Sequence, residues 1–130
     1  MSASLTLLLD THVIVWLAAG YERLSKRAME AALNPDTPLA ISAVTAWEYA
    51  DLEQRGRFAG SGPLAAILEQ LDIEVLDFPA ALWPLAATLP PIHRDPVDRM
   101  LIAHALALEM PLVTADANIA RYPGLAVVWE

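Results

Sequence analysis

Five short apolar runs, spaced at helix-length intervals, constrain this chain more than any other feature. They are Leu5 to Leu9, Leu39 to Ile41, Ile73 to Leu76 and Leu112 to Thr114, with Ala126 to Trp129 as a weaker fifth. The runs are continuous and do not alternate with polar residues, the pattern of strands covered on both faces. Such strands belong to a parallel sheet whose crossover connections are helices, because parallel neighbours cannot be joined by a tight hairpin. The intervening segments predict helices over 12–19, 23–33, 43–55, 62–71, 79–88, 96–109 and 117–121. Asn34-Pro35-Asp36, Gly60-Ser61-Gly62-Pro63 and Tyr122-Pro123-Gly124 punctuate them as turns. The expected fold class is therefore α/β, with a central parallel sheet of four to five strands sandwiched between helices. No repeat or linker divides residues 1–130, so one domain is expected at this length.

Composition removes several classes of function. The chain has no cysteine, which excludes thiol nucleophiles, disulfides and Cys-ligated metals. No apolar run reaches the roughly 18 to 20 residues of a spanning helix. The longest uncharged stretch, Phe78 to Ile92, is broken by Pro79, Pro84, Pro90 and Pro91. The start of the chain lacks a basic residue ahead of its apolar part, and Asp10 and His12 interrupt it, so a cytoplasmic protein without membrane association is expected rather than a secreted one. A formal net charge of -8 argues against nucleic-acid binding through a general basic surface.

The acids stand at the ends of apolar elements. Asp10 follows the first strand directly in LLLDTHVIVWL, and Asp116 follows the strand Leu112-Val113-Thr114. Ligand sites in open α/β sheets form beyond the carboxyl ends of strands, where both acids can meet. Each also suits the N-cap of a following helix. Glu48, in ISAVTAWEYADL, has Val44 and Leu52 four residues away on its helix face. A carboxylate on an apolar stripe needs a cation or a donor to stay ionised, unless it lies at the border and reaches water.

The densest signal is HRDPVDRMLIAHALAL, His93 to Leu108. Asp95-Pro96 reads as an N-cap followed by proline at the first helical position, and Asp98 then sits in the first turn, where the helix dipole favours an anion. Asp95 is expected to cap and Asp98 to be free for chemistry, with Asp95 the alternative. Arg94 and Arg99 flank them and can either pair with these acids or contact phosphate, the ion pair being the commoner arrangement. His104, on an apolar helix, reads as a hydrogen-bonded packing residue. His12, His93 and His104 are not needed as general bases if a metal supplies hydroxide.

Four carboxylates that converge must be offset by protons or by metal. An all-oxygen donor set suits Mg²⁺ or Mn²⁺. Such an ion acidifies water and polarises phosphorus, so the chemistry expected is hydrolysis of a phosphodiester.

In order and spacing, LLLDTHVIVWL, ISAVTAWEYADL, HRDPVDRMLIAHAL and LVTADANIARY together resemble a PIN-domain ribonuclease, most closely the VapC-type toxin of a bacterial toxin–antitoxin pair. The resemblance runs from Leu5 to Val128. It implies a parallel sheet between helices, Mg²⁺ or Mn²⁺ dependence, and endonucleolytic cleavage of RNA. It also implies a homodimer and a cognate antitoxin, with DNA approached only through that antitoxin. Carried over motif by motif, its metal-site acids fall on Asp10, Glu48, Asp98 and Asp116, and Thr114 matches a hydroxyl beside the site. Val97 departs from the aromatic residue usual within the DPxDR motif, which implies a packing change and not a loss of chemistry.

Two other functions compete. A phosphatase of the haloacid-dehalogenase type also places Asp after its first strand, but needs a second acid where His12 stands. A non-catalytic PIN-like interaction module would have lost metal-site acids, and all four are present.

Overall fold

The computed structural model describes residues 5–58 and 62–130. In chain order its elements are β1 (Leu7–Leu9), α1 (Thr11–Ala18), α2 (Lys26–Ala32), β2 (Leu39–Ser42), α3 (Ala43–Gln54), α4 (Leu64–Gln70) and β3 (Ile73–Leu76), followed by α5 (Trp83–Thr88), α6 (Pro96–Leu108), β4 (Leu112–Val113) and β5 (Val127–Val128). The five strands form one sheet in the order β3-β2-β1-β4-β5, and every pairing is parallel. The fold is α/β, as the apolar runs predict.

The apolar strands alternate in space although not in polarity. Leu7 and Leu9 of β1, Ile41 of β2 and Val113 of β4 face one layer, packed with Val13, Ile14 and Leu17 of α1, Ala28 of α2, Tyr49 of α3 and Ile67 of α4. Leu8, Ala40 and Leu112 face the other, against Leu101, Ile102 and Ala105 of α6 and Ala86 of α5. Both faces of the central strands β1, β2 and β4 are covered, while Glu74 and Val75 of the edge strand β3 stay exposed, and each buried Leu or Ile contributes roughly 1.5–3 kcal/mol of burial free energy.

Several boundaries differ from the sequence expectation for local reasons. The segment expected as a helix over 79–88 is a 3₁₀ turn at Ala80–Leu82 that passes into α5, with Pro84 in the first turn, where its missing N–H costs nothing. The expected helix over 117–121 is a 3₁₀ turn at Ile119–Arg121. Helix α2 begins late because Ser25 caps it, accepting from the Ala28 amide at 3.0 Å. Gly60 and Ser61, read as punctuation, lie outside the described residues. No described helix is long and apolar enough to cross a membrane.

The strand order locates the site. Strand β2 lies on one side of β1 and β4 on the other, so the chain reverses its direction of travel across the sheet beside β1. The crevice between the carboxyl ends of β1 and β4 is where open α/β sheets bind ligands.

Candidate active site

Asp10 is the first residue beyond β1 and the N-cap of α1. It is only 9% exposed, yet each carboxylate oxygen has a donor: the Thr11 amide reaches Oδ1 at 2.7 Å and the Thr114 hydroxyl reaches Oδ2 at 2.7 Å. Thr114 also accepts from the Asp116 amide at 3.1 Å, so one buried hydroxyl ties together the ends of two adjacent strands. Asp116 Oδ1 in turn accepts from the Asn118 amide at 2.8 Å, which shapes the turn after β4.

Glu48 projects from α3, itself capped by Ser42, and accepts from the Thr11 hydroxyl at Oε1. Its half-burial answers the question left by the apolar stripe: Glu48 leans into the crevice and does not extend to open water. Asp98 is in the first turn of α6, with Asp95 as the N-cap whose Oδ1 accepts from the Val97 amide at 2.9 Å. With Val97 in place of an aromatic residue, this helix start is still regularly capped.

The acids meet as two overlapping groups. Asp10, Glu48 and Asp98 have donor atoms within 4.8 Å of one another, and Asp98 and Asp116 form a second such set with His93. Asp98 is common to both. They border a cavity of about 340 Å³, lined also by His12, Trp16 and Asp95. A larger depression of about 520 Å³ involves Leu33 to Leu39 and Gln70 to Asp72, at the amino ends of β2 and β3. It lies at the edge of the sheet opposite the acids and brings no comparable set of donors together.

Electrostatics follow from this crowding. Burial pushes the Asp98 carboxyl from an ordinary 3.8 to about 7, and the nearby Asp10, Asp95 and Glu48 add to the shift while His93 opposes it. Burial likewise raises Asp10, against the hydrogen bonds from Thr114 and Thr11. Glu48 is raised by burial and by Asp10 and Asp95, against the Thr11 hydroxyl. Three carboxyls that each resist ionisation in one cavity accept positive charge readily. Oxygen donors alone, several already oriented by neutral hydroxyl and amide partners, fit a hard divalent cation such as Mg²⁺ or Mn²⁺.

His93, which the sequence reading sets aside as a general base and does not place among the acids, lies at the site: its Nε2 is 3.0 Å from Asp98 Oδ2 and 3.2 Å from Asp116 Oδ2. The only sequence signal was its position beside Arg94 and Asp95. The arginines also differ from the ion pairs expected of them. Neither Arg94 nor Arg99 forms a salt bridge among the described residues. The Arg99 guanidinium donates to the carbonyls of Ala86, Ala87, Leu89, Pro90 and His93, fastening the loop ahead of α6. Carbonyls outcompeted the acids because α6 turns Arg99 toward α5, away from the crevice. Arg94 stays exposed beside it. His104 is fully buried, with Nδ1 against Ser42 Oγ at 3.0 Å.

The PIN domain family matches residues 7–125 of this sequence. The chain belongs to the PIN domain family. As a PIN domain it is 33% identical to Ribonuclease VapC22 of Mycobacterium tuberculosis, over 95% of this chain and 98% of that protein. Solved structures share its fold. VapBC2 from Rickettsia felis, bound to a DNA fragment from its promoter, has a TM-score of 0.71 at 21% identity, covering 96% of this chain and 99% of that one. A toxin–antitoxin complex from Klebsiella pneumoniae has a TM-score of 0.63 at 19% identity, covering 92% and 94%.

Proposed function

We propose that this PIN domain is a divalent-metal-dependent endoribonuclease and the toxin of a toxin–antitoxin pair. The observation that carries the reading is the convergence of Asp10, Glu48 and Asp98 in one cavity, each with its carboxyl raised by burial. Mg²⁺ or Mn²⁺ would be held by Asp10, Glu48 and Asp98, with Asp116 on the neighbouring side through the shared Asp98. When bound, such an ion supplies Lewis acidity toward a phosphate oxygen and makes water acidic enough to attack phosphorus near neutral pH.

The chain's own residues prepare that chemistry. Thr114 and the Thr11 amide hold the two oxygens of Asp10, and the Thr11 hydroxyl aims Glu48 at the same space. Asp95 caps α6 and adds negative charge at the rim. Arg94, exposed and adjacent to Asp95 in the chain, would be the local cation for a phosphate of the substrate, whereas Arg99 is held by the loop carbonyls. A net charge of -8 makes RNA binding depend on the ion and on such local cations.

RNA as substrate is supported by the name and 33% identity of the ribonuclease relative. An antitoxin partner is supported by the solved assemblies with this fold, one of them bound to promoter DNA, so DNA contact is assigned to the partner. A homodimer and a cytoplasmic location complete the reading.

The test is RNA cleavage by purified protein with Mg²⁺ or Mn²⁺, with EDTA, and in Asp10→Asn and Asp98→Asn variants whose circular dichroism remains native. Cleavage should need the ion and vanish in both variants. Unchanged cleavage in either would sink the assignment of the site.

A further inference from the structure

His93 lies close enough to Asp98 and Asp116 that the three side chains form a ready set of metal donors. The hydrogen bonding of the ring points elsewhere. The Asp95 backbone N–H donates to His93 Nδ1 at 3.2 Å. A backbone amide is always a donor, so Nδ1 must present its lone pair, and the ring's proton resides on Nε2. Nε2–H then faces two acceptors, Asp98 Oδ2 at 3.0 Å and Asp116 Oδ2 at 3.2 Å. An imidazole that binds metal offers a bare nitrogen to the ion and donates through its other nitrogen to a carboxylate or carbonyl. His93 is arranged the opposite way round.

The backbone on either side of the ring is held just as firmly. The His93 amide donates to the Tyr122 hydroxyl at 2.8 Å, and Tyr122 donates onward to the Pro90 carbonyl at 3.0 Å. Arg99 grips the His93 carbonyl at 3.1 Å. Baring Nε2 would mean moving its proton to Nδ1, which would set two N–H donors against each other at the Asp95 amide, and the backbone is fixed too tightly to relieve that clash.

We propose that His93 is a positioning residue: its Nε2–H bridges Asp98 and Asp116, holds the two carboxylates toward each other, and leaves coordination of the ion to oxygen alone. The inference rests on the metal-site reading above and deepens it. It assigns the nitrogen beside the acids to the task of orienting them, and so keeps the coordination sphere hard, which favours Mg²⁺ and Mn²⁺ over ions that seek nitrogen.

Mn²⁺ is the probe. Free Mn²⁺ measured by electron paramagnetic resonance gives the affinity, and electron spin-echo modulation of the bound ion reports any nitrogen attached to it. Wild-type protein should bind Mn²⁺ with no directly coordinated nitrogen, and ¹⁵N-histidine spectra of the metal-free protein should show His93 protonated at Nε2 with a bare Nδ1. His93→Ala should weaken Mn²⁺ binding about 10–100-fold, as loss of an orienting partner does, while His93→Gln, whose amide can donate from nearly the same point, should restore most of it. A coordinated-nitrogen signal, the opposite tautomer, or wild-type affinity in His93→Ala would overturn the inference while leaving the metal site intact. Absence of saturable Mn²⁺ binding by the wild-type protein would overturn the metal-site reading and this inference together.

Discussion

Thr114 donates its hydroxyl proton to Asp10 Oδ2 across 2.7 Å, joining the carboxyl ends of β4 and β1 through side chains separated by more than a hundred positions in sequence. Both residues are buried, so this bond opposes the rise that burial imposes on the Asp10 carboxyl. The same hydroxyl accepts from the Asp116 amide, and so the two strand-end acids have one common reference point.

Replacing Thr114 with Val preserves shape and removes that donor. The Asp10 carboxyl should rise further, Mn²⁺ affinity should fall about 10–100-fold, and stability should fall by about 1–3 kcal/mol. Mn²⁺ titration and urea denaturation check both, and Thr114→Ser should recover most of the loss. Unchanged metal affinity in Thr114→Val would show that the hydroxyl is a packing feature only.

Asp98 makes the protein's response to pH predictable in sign. Its carboxyl moves from 3.8 to about 7 on folding, so the folded chain holds this proton more tightly than the unfolded chain does. The stability it contributes is complete below 3.8 and is lost as pH rises toward about 7. In metal-free protein the melting temperature should decline across that window, and Asp98→Asn should flatten the decline. Bound Mn²⁺ competes with the same proton, so affinity should climb through the window and level off above about pH 7. An affinity independent of pH would contradict the assignment of Asp98 to the ion.

Asp95 and Asp98 should separate cleanly by mutation. Asn caps a helix about as well as Asp, so Asp95→Asn should keep both fold and metal binding, and Asp95→Ala should cost about 1 kcal/mol through the lost bond to Val97. Asp98→Asn should abolish Mn²⁺ binding at little cost to the fold. Calorimetric titration beside thermal melts distinguishes the two. Loss of the ion in Asp95→Asn would transfer the ligand role to Asp95.

Arg99→Lys should not be conservative. Five carbonyls accept from the planar guanidinium, and an ammonium cannot reach all of them. A loss of about 2–4 kcal/mol in denaturation is expected, since hydrogen bonds from charged donors are worth about 1.5–3 kcal/mol each and the lysine replaces some. Because one of those carbonyls belongs to His93, metal affinity should drop as well. A variant as stable as the wild type would show that the loop holds its shape without Arg99.

The order of elements and the places of the acids could be read from the chain itself. Unbroken apolar runs at helix-length spacing are compatible with few arrangements other than covered parallel strands, and Asp10 after β1, Asp116 after β4 and Asp98 in the first turn of α6 follow from local pattern. Capping was equally local: Asp95-Pro96 specified the start of α6, and the structure shows the bond that does it. The dominance of local rules explains why these features were legible, for each depends on residues within a turn or a strand's length.

What the tertiary structure alone decided depends on which elements become neighbours. Strand order 3-2-1-4-5 puts β1 beside β4, and only then do Thr114 and Asp10 touch. The same assembly divides the acids into two groups that share Asp98, brings His93 between Asp98 and Asp116, and draws Arg99 away from the acids to the carbonyls ahead of α6. Local sequence sets which side chains are available at each element's end. Partners, protonation and the direction of a hydrogen bond depend on distances of a few ångströms between distant segments, and only the packed sheet and its two helical layers set those.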